Sequence, residues 1–477
     1  VYYNYHAVQL DGAIWFALVS GAVFFLFLGG KLRPKLFVVA ALIIYLVLSP
    51  FTGQRYDVFF LLSSGIRLLD HVNPFDPGNP PAYPFVLKWA YPPLYPLYSA
   101  LSFLVYSALT RYPIPPNSAL NYAEINIYPY DVWKVFVPNT LPLLVFLLKL
   151  PMVASTFLVY RVLLKTNGRV AAAIYWLANP YVVFVTSVWG QLDPIAVACA
   201  VVAVVYYQRD KCFSAVFFAA LGAAVKAWPA FLIPFFIVSR LKKQGVRALY
   251  PLLSAVPVAA ASVVLYGLFG NALQSIYAFL YARSVPTVGG GFSVNGITWQ
   301  QILYYLKSPP IPFFLWVWVP AYFLMCFQLY RRGGSIIRWV IVALLIFFLT
   351  YNYVNPQFLI WIIPFYLMLN RRLQASVFSL LPLIYIALTY SLYYFVSPTL
   401  LYDELSFPPA ITEEVRTSAF VYSTPLFLAV VAVMPTAVYI VSLLYELKPG
   451  SFTRIHEFLK LAVSTIRQTL RHVFADG

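Results

Sequence analysis

Three charged side chains stand where long apolar runs of this sequence meet polar segments, and each could do chemistry. The first is Asp57, in Gln54-Arg55-Tyr56-Asp57-Val58-Phe59-Phe60, just after one apolar run and at the head of another that reads as helix to Leu69. A carboxylate at such a boundary can serve as general base on a hydroxyl while a lipid-borne group lies alongside. An acid at a helix start is also favoured by capping and by the helix dipole, so a structural role stays open. The second is Asp193, in Ser187-Val188-Trp189-Gly190-Gln191-Leu192-Asp193-Pro194. It could face the same cavity as Asp57, with Trp189 stacking on a substrate ring, or it could cap the run that follows. The third is Lys226, in Ala224-Val225-Lys226-Ala227-Trp228-Pro229, with no acid on either flank. A cation between two apolar runs either snorkels to water or binds an anion such as phosphate. Arg283, upstream of Gly289-Gly290-Gly291, is a further and weaker cationic candidate.

Other chemistries have no residues to support them. Cys199, Cys212 and Cys326 lie in or beside apolar segments without the spacing of a disulfide framework or a metal site. His6, His71, His456 and His472 form no cluster, and no zinc-protease, phosphate-loop or dinucleotide-binding motif occurs. The net charge of +17 sits in short clusters between apolar runs instead of one continuous stripe, which argues against nucleic acid and for the positive-inside rule.

The elements that must position these residues follow from composition. Of 477 residues, 62% are hydrophobic and 10% charged, against roughly 25% charged in soluble proteins. Apolar runs close to the ~20 residues needed to cross a hydrocarbon core recur along the chain, so the expected fold is all-α and polytopic. Runs such as 36–51 and 336–351 are apolar all round, unlike the alternating strands of a β-barrel. Spans are expected near 12–30, 36–51, 141–164, 170–188, 195–208, 213–225, 227–239, 249–269, 312–330, 336–351, 358–369, 376–396 and 421–445. That is about thirteen crossings, with the N-terminus outside.

Basic clusters such as Lys165/Arg169, Arg240/Lys242/Lys243 and Arg331/Arg332 then fall in the cytosol. Asp57 and Asp193 fall on the outer face, beside two long outer loops at about 52–140 and 270–311. This parity holds only if the Pro-rich segment from Tyr91 to Leu109 does not cross, so it is expected to be re-entrant or to lie on the outer surface. Residues 446–477 form a separate tail. There Ile455, Phe458, Leu459, Ala462, Val463 and Ile466 recur at helical spacing with Arg454, Lys460 and Arg467 between them, as in an interfacial helix on an anionic leaflet.

Together these residues resemble the GT-C superfamily of membrane glycosyltransferases, most of all GPI mannosyltransferase I and prokaryotic polyprenol-phosphate-mannose-dependent mannosyltransferases. The likeness covers about 50–370 of the 1–445 membrane region. Asp57, with Arg67 and Pro74-Phe75, looks like the family's first-loop acid and the turn after it, and Tyr91-Pro92-Pro93-Leu94 like the proline element that closes that loop. Trp189-Gly190-Gln191-Leu192-Asp193 is similar to the family's Trp-Gly-Gln-x-Asp element. Lys226 with Pro229 is similar to Lys-x-x-Pro, and Asn355-Pro356-Gln357-Phe358-Leu359-Ile360-Trp361 to Gln-Tyr-Phe-x-Trp. The sequence departs from the family in two places. Arg55 occupies the position of the first acid of its DxD, which removes a metal bridge within that motif, and an extra span precedes the first-loop acid.

The resemblance implies inverting transfer of a hexose, mannose before others, from a polyprenyl phosphate to a hydroxyl of a lipid-linked or other glycan acceptor. Asp57 would be the base, and Lys226 and Arg283 would stabilise the departing phosphate. Asp193, Trp189 and Gln191 would orient the sugars, with Asn355 and Gln357 contacting sugar hydroxyls or forming the cavity wall. The resemblance fixes no cofactor: a divalent metal stays an open alternative that Arg55 disfavours, and the expected setting is the prokaryotic cell membrane rather than the endoplasmic reticulum. The rival expectation is a non-catalytic membrane subunit or a lipid-glycan transporter on the same fold.

Overall fold

The computed structural model describes residues 34–53, 55–74, 91–116, 140–167, 170–268, 297–300, 302, 314–351, 354–389, 399–400 and 432–447. The expected first span at 12–30, most of the 270–311 loop with Arg283, and the tail beyond Leu447 lie outside these residues.

The described chain is helical apart from one two-residue antiparallel ladder, β1 (Thr52–Gly53) on β2 (Thr399–Leu400). Its first helix, α1 (Pro34–Phe51), leads through β1 into α2 (Arg55–Leu69), and α3 (Leu94–Thr110) follows. The longest is α4 (Leu141–Asn167), whose 27 residues extend for roughly 40 Å at 1.5 Å per residue.

Next come α5 (Val170–Ala178) and α6 (Pro180–Val183), bent by 47° from each other. The cause is Pro180, which has no N–H to give to the preceding turn. Asn179 mends the break by accepting from the Tyr181 N–H (3.0 Å) and donating to the Ser379 hydroxyl (2.7 Å). α6 then widens into a π-helical turn, Phe184–Trp189, which Gly190 ends at φ 81°.

The chain continues through α7 (Asp193–Gln208), α8 (Cys212–Ala223), a 3-10 turn (Trp228–Phe231), α9 (Leu232–Gln244), a 3-10 segment (Gly245–Ala255) and α10 (Val256–Leu268). A π turn (Phe314–Trp318) opens α11 (Val319–Arg332), and α12 (Ile336–Thr350) follows. A 3-10 turn (Pro356–Trp361) then leads into α13 (Ile363–Met368), α14 (Arg372–Thr389) and α15 (Met434–Leu447).

Two of these stretches, Leu141–Thr166 and Trp228–Leu265, are long and apolar enough to cross a membrane, and a third qualifies if the bent pair Val170–Ala178 and Pro180–Trp189 is one span. Trp228–Leu265 is not straight, because Gly245 (φ 56°) breaks it and Ser254 turns back to donate to the Phe213 carbonyl (2.7 Å). The other expected spans that are described are shorter helices. The one at 358–369 is divided between a 3-10 turn and a six-residue helix, both wholly buried.

Within the segment from Tyr91 to Leu109 the chain turns helical at Leu94 and runs alongside α2 in the same direction. Phe60 meets Tyr91 edge to face, Ser99 donates to the Leu61 carbonyl (2.8 Å), and Gly65 lies so close to Ser99 that a Cβ would be 2.4 Å from its hydroxyl. Further along, the Tyr106 hydroxyl is 2.7 Å from that of Thr140, just before α4 starts. Both helices therefore begin beside Lys149, about one third of the way along α4, and α3 ends near its N-terminus. One face of α3 is buried, while Leu101, Leu104 and Leu109 on the other are exposed.

Candidate functional site

Asp57 lies in the first turn of α2 because α1 stops at Phe51 and the chain spends Thr52 and Gly53 on the β ladder before turning helical again. It is half-buried. Its Oδ2 accepts from the Trp189 indole N–H and from the Gln191 amide, each at 2.5 Å. These two donors come from the end of the π turn, where the N–H groups of Gly190 and Gln191 both fall on the Val185 carbonyl (3.2 and 3.0 Å). The turn thus tightens around one acceptor and presents Trp189 and Gln191 on the same side. Trp189, expected to stack on a substrate ring, donates its indole N–H to Asp57 and packs edge to face on Phe184.

Two residues past Gln191, Asp193 opens α7 and is fully buried. It is not the cap: Leu192 holds the N-cap position, and the Asp193 carboxylate turns to Lys226 and Trp361. The Lys226 Nζ is 2.7 and 2.6 Å from its two oxygens, and the Trp361 indole N–H donates to Oδ1. This corrects the premise that Lys226 has no acid to pair with. Neither sequence flank supplies one, but α7 does. A buried ammonium also gains from ring faces, and three surround it, with centroids 4.6 Å (Phe358), 5.3 Å (Tyr91) and 5.5 Å (Trp361) away. Trp361 is itself clamped between Phe358 (4.4 Å) and Trp228 (5.1 Å).

The Pro356–Trp361 turn holds the remaining expected residues. Asn355 is buried at its start, and its carbonyl accepts from the Phe358 N–H (2.9 Å). Gln357 is buried, and its Oε1 has no hydrogen-bond partner among the described residues. The Trp228 Nε1 is in the same condition. Buried amide and indole atoms rarely stay unpaired, so both are positions at which a bound hydroxyl would complete the bonding. The Tyr181 hydroxyl fixes the turn through the Pro356 carbonyl (2.5 Å).

Asp57, Trp189, Gln191, Asp193 and Lys226 are thus brought together with Tyr91 and Trp361, while Asn355 and Gln357 flank them on the turn that carries Trp361. Arg283 lies outside the described residues. Among the described residues no three His, Cys, Asp or Glu side chains come together as a metal site would require.

Sequence reasoning missed Lys149. It is fully buried in α4 and donates to the carbonyls of Thr52 and of Ser187, the latter at 2.7 Å. The signal that could have found it was a single cation inside the apolar run 141–164, since such a charge is costly without partners.

The arrangement holds one half-buried carboxylate by two donors, next to an aromatic-lined ion pair. Neither known protein families nor curated proteins give a match to this chain.

Proposed function

We propose that this chain is an integral membrane glycosyltransferase of the GT-C kind. It would transfer a hexose, mannose before others, from a polyprenyl phosphate to a hydroxyl of a lipid-linked or other glycan. In this proposal the chain makes about thirteen crossings. The outward apolar faces of α1 (Val39, Ile43, Val47), α3 and α11 (Phe323) meet lipid. The site opens at the outer side, and α2 and α3 lie along that surface as a roof.

One observation carries the proposal. Asp57 and Asp193 stand at the two sides of the short Trp189–Asp193 link, and each is gripped by an indole N–H, from Trp189 and Trp361 respectively. Asp193 is buried and neutralised by Lys226, whereas Asp57 is half-exposed. Two carboxylates in such different surroundings suit different tasks. Asp57 takes the proton of the acceptor hydroxyl, which attacks the anomeric carbon as the carbon–oxygen bond to the carrier phosphate breaks, with inversion. Asp193 and Lys226 hold Trp361, Phe358 and Tyr91 as a wall against which the sugar and the first isoprene can lie. Gln357 and Trp228 offer the unpaired atoms that sugar hydroxyls would meet. Since Asp193 already neutralises Lys226, the departing phosphate falls chiefly to Arg283.

The rival proposal, a non-catalytic subunit or lipid-glycan transporter on the same fold, draws on that neutralised lysine, because it removes a cation that phosphate binding would use. Incubation of the purified protein in nanodiscs with polyprenyl phosphate mannose, glucose and galactose separates the two. Release of polyprenyl phosphate that depends on an added acceptor supports the enzyme. Donor binding without release at any acceptor supports the rival.

A further inference from the structure

The geometry points to Lys149 as a positioning residue that sets the register between the two segments meeting at Asp57. This rests on the proposed function only in the purpose it gives that register.

Lys149 lies eight residues into α4, roughly 12 Å from the start of that helix and ~27 Å from its end. It is fully buried, and an ammonium in that position costs several kcal/mol unless it is well bonded. Its described partners are two backbone carbonyls, each at a break in helical bonding. Thr52 follows the end of α1, and Ser187 belongs to the π turn, where the Gln191 N–H that an α-helix would bring to Ser187 goes to Val185 instead (3.0 Å). Lys149 collects one carbonyl from each break.

Those two breaks launch the residues that meet at the carboxylate. The chain runs from Thr52 into the first turn of α2 and Asp57, and from Ser187 to Trp189 and Gln191. The same junction is laced by Ser49 to Ser187 (2.9 Å between hydroxyls) and by the Thr52 hydroxyl to the Ser187 carbonyl (3.3 Å). Gly190 fits the lysine stem closely, since a Cβ there would lie 2.6 Å from the Lys149 Cε. Lys149 thus fixes the separation of the two backbones from below, and the bonds from Trp189 and Gln191 to Asp57 depend on that separation.

The test needs no substrate. In protein labelled with 15N-tryptophan, the Trp189 indole proton is assigned by its loss in Trp189→Phe, and the Trp176 indole, bonded to the Thr156 carbonyl (3.0 Å), serves as a reference within the same bundle. Lys149→Met, which keeps the stem and removes the donors, should move the Trp189 signal upfield as its bond to Asp57 lengthens and leave Trp176 in place. Lys149→Gln, which keeps a neutral donor on a shorter stem, should give a smaller shift of the same sign. A Trp189 signal unmoved in a folded variant overturns the inference. So does failure of both variants to fold, because Lys149 would then serve the whole bundle and not this joint. Wild-type protein that turns over no donor would sink the enzyme proposal and leave this result readable.

Discussion

The Lys226 ammonium and the Asp193 carboxylate form a buried ion pair across 33 residues of sequence, with Nζ 2.6 and 2.7 Å from the two oxygens. Lys226 comes from the link after α8 and Asp193 from the first turn of α7. Gly222 lets these helices approach, since a Cβ there would lie 2.8 Å from the Cys199 Cβ. Trp361 closes the pair from the Pro356–Trp361 turn. Three separated parts of the chain are therefore held at one point by charge.

Breaking that pair from one side should destabilise the protein strongly. Removal of one partner of a buried pair costs about 3–5 kcal/mol, because the other charge stays behind unpaired. Lys226→Met and Asp193→Asn should each lower the unfolding midpoint in detergent, and the double variant should cost clearly less than their sum. Additive losses would show that the two groups do not depend on each other.

Much of this arrangement was legible in the sequence, and the rest was hidden for physical reasons. The apolar run 141–164 gave its helix, whereas the run 170–188 was expected as one span, although Pro180 within it lacks the donor a helix interior needs and the chain bends there. Asp57, Trp189, Gln191, Asp193 and Lys226 stood out as polar groups at the ends of apolar runs. Their pairing did not, because it depends on how α7 and α8 pack, and local charge counting around Lys226 sees only its apolar flanks. Lys149 was hidden for a related reason: its partners are backbone carbonyls, which every residue carries and no residue type announces. The parallel course of α2 and α3 depends on close approaches such as Gly65 to Ser99, which periodicity alone does not supply.

Gly190 should respond to substitution through Lys149. It adopts left-handed backbone (φ 81°, ψ 46°), so alanine costs about 1–2 kcal/mol there, and the new Cβ would also strike Lys149. Gly190→Ala should therefore lower the unfolding midpoint by more than the backbone cost alone. A loss within that cost would mean that Lys149 yields freely.

The ends of α2 and α3 should face the same side of the membrane. His71 and Arg111 are exposed just beyond them, and Arg332 is exposed at the end of α11, in a basic cluster that the positive-inside rule would put in the cytosol. In a background without Cys199, Cys212 and Cys326, cysteines at 71 and 111 should react with an impermeant maleimide added outside intact cells, and one at 332 only after permeabilisation. Labelling of 71 and 111 from opposite sides would show that one of the two helices crosses.

A second buried acid ties down the last described helix. Glu446, at the end of α15, accepts from Arg371 and lies 3.5 Å from Arg338 Nε. Glu446→Ala would leave Arg371, largely buried, without its acid, so a loss of about 3 kcal/mol is expected. It should appear as faster proteolysis near α15 while Asp57 chemistry is retained. Unchanged proteolysis would show that apolar packing alone holds that helix.

The most direct measurement compares wild type and Asp57→Asn in nanodiscs, following both turnover and binding of the polyprenyl phosphate hexose that the wild type uses. The amide keeps the shape of the carboxylate but cannot take the acceptor proton, and general-base assistance is typically worth 10²–10⁴-fold. A fall in kcat of that size, with donor affinity and unfolding midpoint within a few-fold and a few degrees of wild type, is the result expected. Wild-type kcat in a folded Asp57→Asn protein would contradict the role of Asp57 as base.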